Sequence, residues 1–132
     1  MARWGAVSTP ATRRYEVRAR STDTLGRVLW SCRDQHFVAD GPVHNGCPGE
    51  AVTPAELFLA GVAACGVALV EVLAKAEGVP LTSVRTEIEG EIDPANPVRD
   101  DLNVFNSVRL TFELTGVTEE QGAALVEGFK RR

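Results

Sequence analysis

The sequence predicts an α+β fold in which antiparallel sheets pack on a long buried central helix and a second helix. Three observations carry this. Apolar and polar residues alternate at period two in two separate regions, one before and one after a helix-length stretch. That stretch, from Thr53 to Glu77, is apolar on nearly every side. Two positions, Thr53 and Thr118, open with the residue pattern of a capped helix N-terminus.

Residues 1–13 show no period and read as a loose arm of a single domain spanning 1–132. Tyr15, Val17 and Ala19 then alternate with Arg14, Glu16, Arg18 and Arg20, a strand with one wet face. Thr22-Asp23-Thr24-Leu25-Gly26 is a turn. Arg27–Cys32 and Gln35–Ala39 extend the pattern into a meander, and Gly41 to Glu50 is a flexible Gly/Pro-rich loop carrying His44 and Cys47. In the central helix Thr53 is the N-cap, Pro54 fills the first helical position and Glu56 completes a capping box. Gly78 and Pro80 stop it. Strands return at Ser83–Asp93, with Val84, Ile88 and Ile92 on one face, and at Ser107–Thr115, where Val108, Leu110, Phe112 and Leu114 alternate strictly. Thr118-Glu119-Glu120-Gln121 is a second capping box, and its helix runs to Arg132. One sheet covers only one side of the central helix, so a second copy of the chain is expected on the other, as an obligate homodimer.

At 132 residues the chain can bury a core, and its 44% apolar and 24% charged composition is that of a soluble globular protein. A net charge of −4, a pI near 5.2 and scattered basic residues argue against nucleic-acid binding. The amino terminus has no apolar core of a secretory signal. The longest apolar run, Leu57–Val70, falls short of the roughly 20 residues that cross a bilayer. A cytoplasmic, non-membrane protein is expected, with its three irregularly spaced cysteines reduced. The sequence contains no P-loop, dinucleotide fingerprint, Ser–His–Asp order or HExxH motif.

Pro54-Ala55-Glu56-Leu57-Phe58-Leu59-Ala60-Gly61-Val62-Ala63-Ala64-Cys65 resembles the signature of the OsmC/Ohr family, the osmotically inducible and organic-hydroperoxide-resistance proteins. There a Pro-Glu-x-Leu helix start leads to Ala-Ala-Cys. Lys75 to Leu81 and Val84–Asp93 are similar to the family's helix end and next strand, and the loop at Asp40-Gly41-Pro42 is closer to the general OsmC-like branch than to Ohr proper. The resemblance implies an intertwined homodimer with active sites at the subunit interface. It implies a thiol-dependent peroxidase acting on organic or inorganic hydroperoxides in the oxidative stress response, with a thiol reductant. The peroxidatic position is Cys65, supported by an Arg–Glu pair and a resolving cysteine on the second long helix. Two positions depart from that pattern: Ala55 stands where the family has Glu, and the resolving position would fall after Arg132.

A thiolate attacks the O–O bond, so the thiol's pKa must fall beside a cation or hydrogen-bond donors. Cys65 is mid-helix, beyond the reach of the helix dipole's positive end, and otherwise reads as a small buried hydrophobe. Arg27 is the first choice of cation, because the resemblance implies an activating arginine from the amino-terminal strands; Arg20 and Arg33 are competitors. Glu56, whose structural role is the cap, is the candidate acid. Cys47 could stand in as a resolver if its loop folds back, or be an exposed loop cysteine. Cys32, His36, His44 and Cys47 form a C-x3-H-x7-H-x2-C series whose gaps match no standard zinc knuckle; no metal or cofactor is expected. The alternative to the peroxidase is a degenerate, non-catalytic dimer that binds an apolar small molecule at its subunit interface.

Overall fold

Two antiparallel sheets and two helices carry residues 11–132, the part of the chain described by the computed structural model. In order these are β1 (Arg18–Ser21), β2 (Arg27–Cys32), β3 (Gln35–Asp40), α1 (Pro54–Ala76), β4 (Ser83–Glu91), β5 (Ser107–Thr115) and α2 (Glu119–Lys130). Strands β1, β2 and β3 form one sheet in sequence order, and β4 and β5 form a two-stranded sheet. The chain divides into two compact units, one ending at Pro54 and one beginning at Ala55. The α+β architecture with antiparallel sheets is the one expected.

In the first unit the alternation from Tyr15 overreaches. Strand β1 begins at Arg18, and Tyr15 and Val17 are exposed. Its partner sets the limit: Arg18 pairs with Ser31, one residue from the end of β2, so residues 14–16 have no strand to join. Most of the loose arm expected over 1–13 lies outside the described residues. The turn before β2 is held by the Thr22 side chain, which accepts from Thr24 N–H and lies 3.0 Å from the Arg27 carbonyl.

The second unit has the larger core. Val70, Leu73 and Ala74 of α1 and Leu125 of α2 are buried together, with Phe112, Leu114 and Phe129 packed against them. Gly66 lets α1 approach β5 closely, since a Cβ there would stand 3.0 Å from the Phe112 ring. A Schellman motif ends α1: Val79 N–H reaches the Ala74 carbonyl at 2.9 Å, Gly78 N–H reaches Lys75, and Gly78 takes φ of 66°.

Two expected boundaries shift here. Strand β4 stops at Glu91, leaving Ile92 exposed, because the Asp93 carboxylate accepts from Ala95 N–H and the Asn96 side chain and turns the chain away. Helix α2 opens with the expected capping box between Thr118 and Gln121 but closes at Lys130 rather than Arg132. Its last turn tightens, with Arg131 and Arg132 N–H bonded three residues back.

Helix α1 is buried along one side only, at Gly66, Val70, Leu73 and Ala74. By length and composition alone it could cross a membrane. Its packed side joins the core that α1 shares with α2 and β5.

Candidate functional site

Cys65 sits near the middle of α1 and is exposed. Helical spacing puts Phe58, Gly61, Ala68 and Val72 on its side, at offsets of about one and two turns. Phe58 is 58% and Val72 38% exposed, and a Cβ built at Gly61 would meet no heavy atom within 4 Å. The buried residues Gly66, Val70, Leu73 and Ala74 lie about 80–180° round the helix from Cys65. The thiol therefore lies on an apolar stripe that the described protomer leaves open. One protomer covers one side of the helix, as the sequence reading has it, and Cys65, read there as a small buried hydrophobe, is exposed in the described protomer.

Glu56 does not share that stripe. At about 100° per residue, nine residues place it half a turn round from Cys65 and roughly 13 Å along the axis. It stands in the first turn of α1, as the capping pattern requires.

Arg27 belongs to a separate cluster in the first unit. Arg27 and Asp40 are directly paired across β2 and β3, so their side chains share one face. Arg27 Nε donates to Asp40 Oδ1 at 2.8 Å and Nη2 to Oδ2 at 2.9 Å, while Nη2 also donates to Glu50 Oε1 at 2.8 Å. Asp40 Oδ2 further accepts from the N–H groups of Glu50 and Ala51, at 2.9 and 2.8 Å. The Asp40 side chain is fully buried, Arg27 is 32% exposed and Glu50 77%. The Arg27 guanidinium, then the two backbone donors, hold Asp40 well below the usual carboxylate range. The hydrogen bonds to Asp40 and Glu50 raise Arg27 above its ordinary value. One cation and two carboxylates leave the cluster with a net charge of −1.

The competing arginines lie elsewhere. Arg20 pairs with Leu29 on exposed β1, and Arg33 occupies the β2–β3 turn with φ of 51°. Cys47 is not a loose loop cysteine. It is half-buried, and its sulfur lies against the Cα atoms of Gly26 and Gly41: a Cβ at Gly41 would stand 2.6 Å from it, and one at Gly26 would overlap it. Cys32 and His36 fall on opposite faces of the sheet, since Ser31, not Cys32, pairs with His36, so the Cys/His series does not converge. Sequence reasoning missed Asp40 and Glu50.

The family model for OsmC-like protein matches residues 47–132, well over half of the chain. The chain belongs to the OsmC-like family. Solved structures share its fold. The OsmC-like protein from Mycoplasma pneumoniae superposes with a TM-score of 0.78 at 18% identity, over 92% of this chain and 84% of that one. An organic hydroperoxide resistance protein OsmC from Legionella pneumophila gives 0.71 at 24% identity, over 92% and 85%. One from Elizabethkingia anophelis gives 0.73 at 17%, over 93% and 85%. No curated protein sequence matches the chain. In this OsmC-like chain, Ala55 occupies the first turn of α1 beside Glu56, and the described carboxylate partners of Arg27 come from β3 and the loop that follows it.

Proposed function

We propose that this OsmC-like protein is a thiol-dependent hydroperoxide reductase of the oxidative stress response, cytoplasmic and homodimeric, with Cys65 as its nucleophile. The observation that carries the reading is the accessible Cys65 on the open apolar stripe of α1. A hydroperoxide with an organic group can lie along such a stripe while the thiolate meets its O–O bond. The Legionella and Elizabethkingia proteins of the same fold are named for organic hydroperoxide resistance. A second copy of the chain covering the stripe would shelter the thiol from bulk water.

In the first step the Cys65 thiolate attacks the terminal peroxide oxygen. The O–O bond breaks, the sulfur is oxidised to sulfenic acid, and the alkoxide leaves as the alcohol after taking a proton. A thiol reductant then forms a mixed disulfide with release of water, and a second thiol returns Cys65 to its reduced form. The test is consumption of cumene hydroperoxide in the presence of a dithiol. Wild type should turn over and Cys65→Ser should not; equal consumption by both overturns the reading.

A second reading has its own support. With Ala55 in the first turn and Glu56 half a turn away from Cys65, no acid of the α1 start lies beside the thiol on the helix surface. A non-catalytic dimer that holds an apolar small molecule would need none. Mass spectrometry of solvent extracts of the purified protein separates the two: a bound apolar compound with a peroxide-inert Cys65 supports this reading.

A further inference from the structure

We infer that Arg27 is a structural arginine, committed to the segment that leads into α1, and that Asp40 is the residue on which that segment is built. The Cys65 thiol then draws its reactivity from some other donor. This inference revises the arginine within the Cys65 reading and uses that thiol as its probe.

Every polar group of the Asp40 carboxylate and backbone N–H is used to bring distant chain together. Its side chain takes Arg27 from β2 and the N–H groups of Glu50 and Ala51. Its own N–H donates to the Val52 carbonyl at 3.0 Å. Residues 50–52 are thus fixed to β3 immediately before Thr53 and the start of α1. The loop between is closed by Gly41 N–H on the Gly26 carbonyl at 2.8 Å and Gly49 N–H on the Gly41 carbonyl at 3.1 Å. Cys47 seats its sulfur against Gly26 and Gly41, which fills the interior of the same loop.

Arg27 is the counter-ion that makes a fully buried carboxylate tolerable there. Electrostatics also argue against a second employment. A thiolate is favoured by nearby positive charge, and the Arg27, Asp40 and Glu50 side chains together carry one negative charge. The Arg27 charge is already met by two carboxylates, so the cluster has no net positive charge to lend a thiolate.

The experiment follows Cys65 alkylation by iodoacetamide against pH, with the modified peptide identified by mass spectrometry, in the full chain and in Arg27→Met, Asp40→Asn and Glu50→Gln. The expected result is a lower Tm for Arg27→Met and Asp40→Asn with the alkylation midpoint of Cys65 unmoved in all three. An upward move of about one pH unit in a folded Arg27→Met, or a downward move of that size in Glu50→Gln, overturns the inference, since about one unit is what a lost or freed neighbouring cation gives. If Arg27→Met does not fold, Glu50→Gln decides alone, because its side chain is exposed and its removal leaves the Asp40 contacts in place. Alkylation needs no turnover, so failure of the hydroperoxide reading, seen as unchanged consumption in Cys65→Ser, is read separately.

Discussion

Arg27 and Asp40 face each other across the β2–β3 hairpin and close two side-by-side hydrogen bonds of 2.8 and 2.9 Å. The geometry is the planar fork-to-carboxylate pairing that lysine cannot reproduce. It is placed where water does not reach the carboxylate, so the pair and its backbone donors stand or fall together.

Asp40→Asn is therefore expected to lower Tm at neutral pH by about 10 °C, the scale on which removing one partner of a buried ion pair acts. Arg27→Lys should lower it by less. The Asp40 pKa is depressed in the folded chain, so its contribution is fully present above the unfolded carboxylate value of about 4 and is lost as pH falls from there toward the folded value. Thermal unfolding at pH 7, 4 and 2.5 should show the gap between wild type and Asp40→Asn narrowing only in the acid range. A gap of constant size would mean that the charge of Asp40 plays no part.

Leu125 is 1% exposed at the centre of the α1–β5–α2 core. Leu125→Ala should cost about 3 kcal/mol in chemical denaturation, within the range for a large-to-small change in a closed core. Gly66→Leu should cost about 1–3 kcal/mol for the opposite reason, because the Phe112 ring and Leu110 already occupy the space beside it.

Much of this fold was legible in the sequence, and each failure has its own physical cause. Strands β2 and β5 and the start of α1 fall where the alternation and the Thr53-Pro54 pattern put them. Strand β1 did not, because a strand needs a partner as well as a pattern, and β2 turns at Arg33 before residues 14–16 can pair. The candidate site was less legible. Cys65 could be singled out from its place on the helix, and Glu56 could be placed relative to it only by counting its rotation. Asp40 carried a usable signal: with only Arg33 and Asp34 between β2 and β3, hairpin register places Asp40 opposite Arg27. Glu50 carried none, since its approach to Arg27 depends on how the whole loop folds.

Gly78 turns the end of α1 with φ of 66° in open space, with no heavy atom within 4 Å of a built Cβ. Gly78→Ala should therefore cost about 1 kcal/mol from backbone conformation alone, without loss of any packing contact. Chemical denaturation measures it, and a value near zero would mean that the helix end relaxes.

The stripe around Cys65 gives the association experiment. Ala68 lies one turn from Cys65 on the exposed side of α1. Under the proposed dimer, Ala68→Glu places an unpaired charge in the shared surface and should yield a monomer with unchanged helix content. Sedimentation velocity with circular dichroism checks both halves. A wild type that sediments as a monomer at the same concentration removes the dimer from the reading.

The three thiols differ in access: Cys65 is exposed, while Cys32 and Cys47 are half-buried, the latter wedged beside two glycines. The chain thus carries its own clock for conformational opening. A bulky maleimide should mark one sulfur quickly in the native protein and the other two only as fast as the amino-terminal hairpin and its loop come apart. The slow phases of labelling would time that rupture without any engineered reporter.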